Sequence, residues 1–164
     1  MPDSPEVPEV FFNRAELSDQ GRLCPLLMQT YGQVLENVLE RSRSAAFPSS
    51  SVEDELMAAD DFYFSAIDLM DCCWLAKAGN DIIGAACVNP YVSELQYVAV
   101  LPEWRRKGIG GKLVELALAE LVKRGVDHVR CELALALADD GGRMFLANAG
   151  MHEIASNMIM GRSL

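Results

Sequence analysis

Glu94-Leu-Gln-Tyr-Val-Ala-Val-Leu-Pro-Glu-Trp-Arg-Arg-Lys-Gly-Ile-Gly-Gly-Lys-Leu113 is the stretch that decides how the chain reads. An extended segment, Val92–Val100, runs into Pro102, which cannot continue a β-ladder. Three consecutive cations follow, Arg105, Arg106 and Lys107, and then Gly108, Gly110 and Gly111. From Gly110 onward Leu113, Val114, Ala117, Leu118 and Leu121 recur at helical spacing as far as a Gly125 stop. The first turn of a helix carries amide N–H groups without partners and a partial positive charge. Glycine lets a bulky anion come close to those amides, so a phosphate site is expected where this helix begins.

Two familiar phosphate loops do not fit. A dinucleotide loop needs a small residue three positions after its second glycine, and Leu113 stands there; its glycines should also follow the strand directly, without a proline turn. A Walker loop needs Ser or Thr after Gly-Lys, and Gly111-Lys112 is followed by Leu113.

Upstream, Cys73–Ala78 and Ile82–Asn89 are apolar strands joined through Gly79-Asn80-Asp81, a hairpin signal. Glu9–Ala15 is a further strand. Leu17–Arg43 reads as two helices broken near Thr30–Gly32, Ser44–Ser51 as a linker and Val52–Met70 as acidic helix. Downstream, Val129, Cys131, Leu133 and Leu135 alternate with polar residues as a half-buried strand, and Glu120 and Arg124 make an i,i+4 pair on the outer face of the long helix. Asp139-Asp140 caps a short helix through Asn148, stopped by Gly150, and Ile154–Met160 is the last strand. This order predicts an α+β (α/β-like) fold, a sheet with helices on its faces.

The global numbers agree. At 164 residues, against ~150 per domain, the chain is one domain: a loose Pro-rich tail over residues 1–8, then a single domain over 9–164. Net charge is −10, with 14 Lys plus Arg against 24 Asp plus Glu, which argues against nucleic acid or an anionic membrane as partner. No apolar run approaches the ~20 residues that span a bilayer. The five cysteines (Cys24, Cys72, Cys73, Cys87 and Cys131) have apolar neighbours and no CxxC spacing, which suits reduced core thiols in a cytoplasmic protein. His128 and His152 are the only histidines and lie in no metal motif. Met144, Met151, Met158 and Met160 are expected to fill core gaps.

The stretch resembles the central motif of the GCN5-related N-acetyltransferases: a strand, Val-x-Pro, and Arg-x-x-Gly-x-Gly opening a helix, here Arg105, Gly108 and Gly110. The likeness covers roughly residues 73 to 161. It implies a central mixed, mostly antiparallel sheet flanked by helices on both faces. It implies acetyl-CoA as cosubstrate and no metal. The amides of Gly108, Ile109, Gly110 and Gly111, helped by Arg105, Arg106 and Lys107, would cradle the pyrophosphate. The backbone of Val98, Ala99 and Val100 would run beside the pantetheine arm, where the family splays its sheet and commonly carries a bulge. The activity implied is transfer of acetyl to a primary amine by direct attack in a ternary complex, and a homodimer is compatible with it.

Such a reaction needs a neutral amine beside the thioester and a stabilised oxyanion. An alkylamine has a pKa of ~10.4 and must lose a proton. Glu94, six residues before Val100, stands where many members place a carboxylate base, working through a water; it equally suits a solvated strand position. Strand alternation puts Glu94 on the side of Gln96, Val98 and Val100, unless a bulge changes the parity. The family's usual tyrosine acid is replaced by Leu146, leaving Tyr31, Tyr63, Tyr91 and Tyr97 as substitutes, and Asp139 stands where asparagine is common. Between Ser44 and Ala76 there are seven acidic residues around Phe62-Tyr63-Phe64 and no Lys or Arg, which suits either a solvated helix face or the wall of a site for a cationic small-molecule or peptide amine. The alternative to an enzyme is a non-catalytic acyl-CoA-binding or regulatory module with the same loop.

Overall fold

The computed structural model describes residues 8–19, 21–30, 72–132, 140–155 and 159–164. Its strands are β1 (Val10–Arg14), β2 (Cys73–Ala78), β3 (Asp81–Asn89), β4 (Glu94–Val100), β5 (His128–Glu132), β6 (His152–Ala155) and β7 (Ile159–Ser163). Its helices are α1 (residues 24–30), α2 (Ile109–Lys123) and α3 (Asp140–Asn148). The strands form one sheet in the order β1-β2-β3-β4-β5-β7-β6. Only β4 and β5 run parallel; every other neighbouring pair is antiparallel.

Helices cover both faces, as the family resemblance implied. On one side Ile109, Leu113, Val114, Ala117, Leu118 and Leu121 of α2 meet Ala86, Val88, Leu95, Val129 and Cys131, with Leu146 of α3 and Met151 beyond them. On the other side Leu23, Leu26 and Leu27 pack on Leu75, Ala85, Cys87, Tyr97 and Ala99. Strand β3, buried on both faces, is a continuous apolar run for that reason. Gly84 sits beneath the start of α2: a Cβ there would stand 3.1 Å from Leu113 Cδ1 and 3.2 Å from the Ala99 carbonyl oxygen. The missing side chain is what lets the helix seat this low on the sheet.

Four local expectations are corrected. Leu17–Asp19 is a single 3₁₀ turn, and the helix begins only at residue 24. The expected last strand is two strands, β6 and β7, paired antiparallel, so the chain reverses within it. Glu120 does bond Arg124 Nε at 3.0 Å, but it is buried: Arg14 of β1 reaches over to the same carboxylate, so that face of α2 is covered. Met144 is 61% exposed, whereas Met151 is buried as expected.

A second buried carboxylate was not anticipated. Asp19 is fully buried, accepts the Glu16 amide at 3.1 Å, and pairs with Lys77 Nζ at 2.7 Å and Arg22 at 3.2 Å. It ties the approach to α1 to the β2–β3 hairpin. A buried carboxylate is tolerated where paired cations and an amide donor replace its water. All five cysteines are buried and unbridged. Burial first, and then Cys73 and Cys72 beside it, push the Cys87 thiol well above its ordinary pKa, so it stays protonated. Among the described residues no helix is long and apolar enough to cross a membrane. Residues 1–7 and most of the acidic, aromatic stretch from Ser44 to Ala76 lie outside the described residues.

Candidate acyl-CoA cleft

Helix α2 begins without a side-chain cap. Its N-cap is Gly108, held at φ 78, a left-handed conformation that L side chains adopt only with strain. Beyond Gly108 and Gly111 an added Cβ would meet nothing within 4 Å, so no side chain crowds this helix end. Gly108, Gly110 and Gly111 line a cleft of about 420 Å³. Gly110 is different: a Cβ there would stand 3.1 Å from the Phe145 ring, so this glycine lets α3 close against α2.

The cleft is lined by Val98 and Val100 of β4, by Arg105, Arg106 and Gly108, by Ile109, Gly110 and Gly111 of α2, by Cys131 of β5 and by Phe145 and Leu146 of α3. Thr30, on the opposite face of the sheet, lines it as well. The cavity therefore passes through the sheet beside β4. Among the described residues the β4–β5 ladder consists of one pair, Glu94↔Arg130, with the Arg130 amide donating to the Ser93 carbonyl at 2.9 Å.

Of the expected binding residues, Ala99 and Lys107 do not line the cleft. Leu101 donates its amide to Ile83 of β3, and alternation then turns the Ala99 backbone toward β3 too, and those of Val98 and Val100 toward the cleft. Arg105 confirms the direction: its Nε donates to the Val100 carbonyl at 3.0 Å. Lys107 lies over the Trp104 ring at 4.6 Å, a cation–π contact. Arg105 and Lys107 are thus engaged with the protein. Arg106 is exposed, lines the cleft and, among the described residues, makes no ion pair or hydrogen bond. Its φ is 61, left-handed for a residue that has a Cβ.

The bulge is present, and it decides where Glu94 points. Cys87 pairs with Tyr97 and Val88 with Leu95, so Gln96 is the extra residue of β4. Leu95 packs with the α2 cluster and Tyr97 with the α1 cluster. Glu94, next to Leu95, accordingly faces the α1 side, opposite to Val98 and Val100, and the simple alternation expected from the sequence is corrected. Gln96, itself at the cleft, donates Nε2 to Glu94 Oε2 at 3.1 Å. Arg130 stands 4.0 Å from the same oxygen. Glu94 does not itself line the cleft.

Leu146, which the resemblance put in place of a tyrosine acid, is 3% exposed and forms part of the cleft wall. Tyr97 lines the cleft, but its hydroxyl lies 3.7 Å from Cys73 Sγ within the α1-side core. Tyr91 is 70% exposed on the β3–β4 turn. Tyr31, Tyr63 and Asp139 fall outside the described residues. Among the described residues no three His, Cys, Asp or Glu side chains are grouped to hold a metal.

Solved structures share the fold at low identity. PaiA N-acetyltransferase from Thermoplasma acidophilum, in complex with coenzyme A, matches with a TM-score of 0.62 and 16% identity over 95% of this chain and 99% of that one. A Pyrococcus horikoshii protein matches with a TM-score of 0.68 and 18% identity over 95% and 99%. The ribosomal-protein-S18-alanine N-acetyltransferase from Escherichia coli matches with a TM-score of 0.61 and 16% identity over 94% of each. No curated protein matches by sequence. The model of the acetyltransferase (GNAT) family matches residues 34–143, about two thirds of the length, and the chain belongs to that family.

Proposed function

We propose that this chain moves an acetyl group from acetyl-CoA to a primary amine by direct attack in a ternary complex. One observation carries the reading: the uncapped start of α2 opens into a cleft that passes through the sheet beside β4. A diphosphate fits the amides of Gly108 to Gly111, with Arg106 as the uncommitted cation beside them. An amide-bearing arm fits the cleft-facing backbone of Val98 and Val100, and Ala99 supports that strand from the β3 side. The coenzyme A found with a relative of the same fold supports this assignment.

When bound, the thioester supplies an activated acyl group. The chain's contribution is to bind, orient and manage one proton. The amine enters from the α1 side, where Glu94 faces, and arrives carrying a proton. Glu94 takes that proton through a water, the neutral nitrogen attacks, the new C–N bond forms and the C–S bond breaks, and the second proton that the nitrogen sheds as the amide forms passes to solvent. Leu146 has no proton to give the departing sulfur. A thiol pKa of ~8.5 makes the thiolate a tolerable leaving group, which solvent then protonates.

Calorimetry with coenzyme A and thiol release from acetyl-CoA over a panel of amines test the proposal together. Micromolar binding with amine-dependent release supports it. Leu146 favours the second reading, a non-catalytic acyl-CoA module, and tight binding without release on any amine would establish that one. Absence of coenzyme A binding overturns both.

A further inference from the structure

The pairing of β4 with β5 places two opposite charges side by side on the α1 face. Val129 and Cys131 of β5 pack in the α2-side core, so Arg130 between them faces the α1 side, as Glu94 does. The guanidinium is 47% exposed and lies 4.0 Å from Glu94 Oε2. That is too long for a hydrogen bond, and among the described residues it is the only ion pair or hydrogen bond of that side chain. Arg130 therefore retains its donors for an incoming acceptor atom, in a chain with few cations to spare.

We propose that Arg130 selects the acceptor: the amine substrate is zwitterionic, an amino acid whose carboxylate binds Arg130 while its amine lies beside Glu94. The inference rests on the acetyl-transfer reading and names the substrate class of that site. The Glu94–Arg130 pair is the charge complement of an ammonium and a carboxylate one carbon apart. Arg is suited to the task because its planar fork takes a carboxylate through two hydrogen bonds. The substrate's carboxylate also draws Arg130 from Glu94, leaving Glu94 to take the proton that the attacking nitrogen loses. A bare amine leaves the pair closed, and places its own positive charge against Arg130.

The test uses matched pairs differing only in the carboxylate: arginine and agmatine, lysine and cadaverine, histidine and histamine, tyrosine and tyramine, together with an N-acetylated lysine peptide amide. Thiol release from acetyl-CoA is the readout, and calorimetry with coenzyme A checks the fold of each variant. In the best pair the amino acid is expected to exceed its decarboxylated partner in kcat/KM by about 10- to 100-fold, the worth of one charge-assisted contact. Arg130→Gln should remove that advantage by raising KM for the amino acid, while the decarboxylated amine, no longer facing a like charge, is turned over faster; Arg130→Lys should restore part of the advantage. A bare amine or the peptide outpacing every free amino acid overturns the inference while leaving acetyl transfer intact. So does an Arg130→Gln loss shared equally by both members of a pair. Coenzyme A binding with no release on any amine overturns the inference together with acetyl transfer, and leaves the binding-module reading standing.

Discussion

Leu95 and Tyr97 are two residues apart on one strand, yet they pack against opposite faces of the sheet. The bulge at Gln96 separates them, and it sends Glu94 to the face that α1 covers. Glu94→Gln is expected to lower kcat by about 100-fold, the lower end of what general-base groups contribute. The deficit should deepen as pH falls and the amine becomes harder to deprotonate. Coenzyme A affinity should not change, because Glu94 is outside the cleft wall. A pH–rate profile superimposable on that of the parent protein removes Glu94 from the mechanism.

Gly111 separates binding from folding. It is inside α2, is exposed, and has open space where a Cβ would go. Gly111→Glu should hold or raise Tm, since glycine in a helix interior is less favourable than other residues by about 0.5–1 kcal/mol. The new carboxylate would meet the diphosphate, and coenzyme A affinity is expected to drop about 10-fold or more. Thermal unfolding and calorimetry on one preparation check both halves.

Arg106 holds a left-handed backbone without being glycine. Such a conformation raises the energy by about 1–3 kcal/mol and persists where the surroundings or a function require it. Arg106→Gly should therefore leave Tm unchanged or higher while weakening coenzyme A about 10-fold, the contribution of one charge-assisted contact. A lower Tm with unchanged affinity would assign Arg106 a structural role.

The five thiols give a probe that needs no substrate. All are buried, so a thiol-reactive dye should label the native protein slowly and the denatured protein at five sites. Cys131 is the one that lines the cleft. Peptide mapping should find it the first to react, and saturating coenzyme A should protect it.

The turn and helix around residues 94–113 were legible because proline, glycine and the 3.6-residue period are local signals. The direction of Glu94 was not. A bulge is a mismatch between two strands, and no sequence of one strand alone records it. Asp19 hid for a related reason: its partner Lys77 is 58 residues away, and a helical reading from Leu17 onward gives an aspartate there no reason to be buried. Glu120 looked solvent-facing because helical periodicity cannot register Arg14, which reaches its carboxylate from the edge strand β1 at the far end of the chain. The acceptor side was read from an acidic, aromatic composition largely outside the described residues, whereas the Glu94–Arg130 pair appears only once β4 and β5 are set next to each other.

Asp19→Ala would leave Lys77, 19% exposed, without its counter-charge. Removing one partner of a buried pair typically destabilises by about 3–5 kcal/mol, and chemical denaturation should register a loss of that order. A loss below 1 kcal/mol, on the scale of ordinary surface pairs, would show that the pair contributes little.

The same carboxylate has an evolutionary consequence. Asp19 with Lys77, and the Ala15 amide with the Cys73 carbonyl at 2.8 Å, fasten the chain just before residue 24 to the strand that resumes at residue 73. Whatever polypeptide connects α1 to β2 departs from one pinned post and returns to another. A connecting segment of different length or character can thus be exchanged between those posts while the α2 cleft on the far side of the sheet keeps its walls.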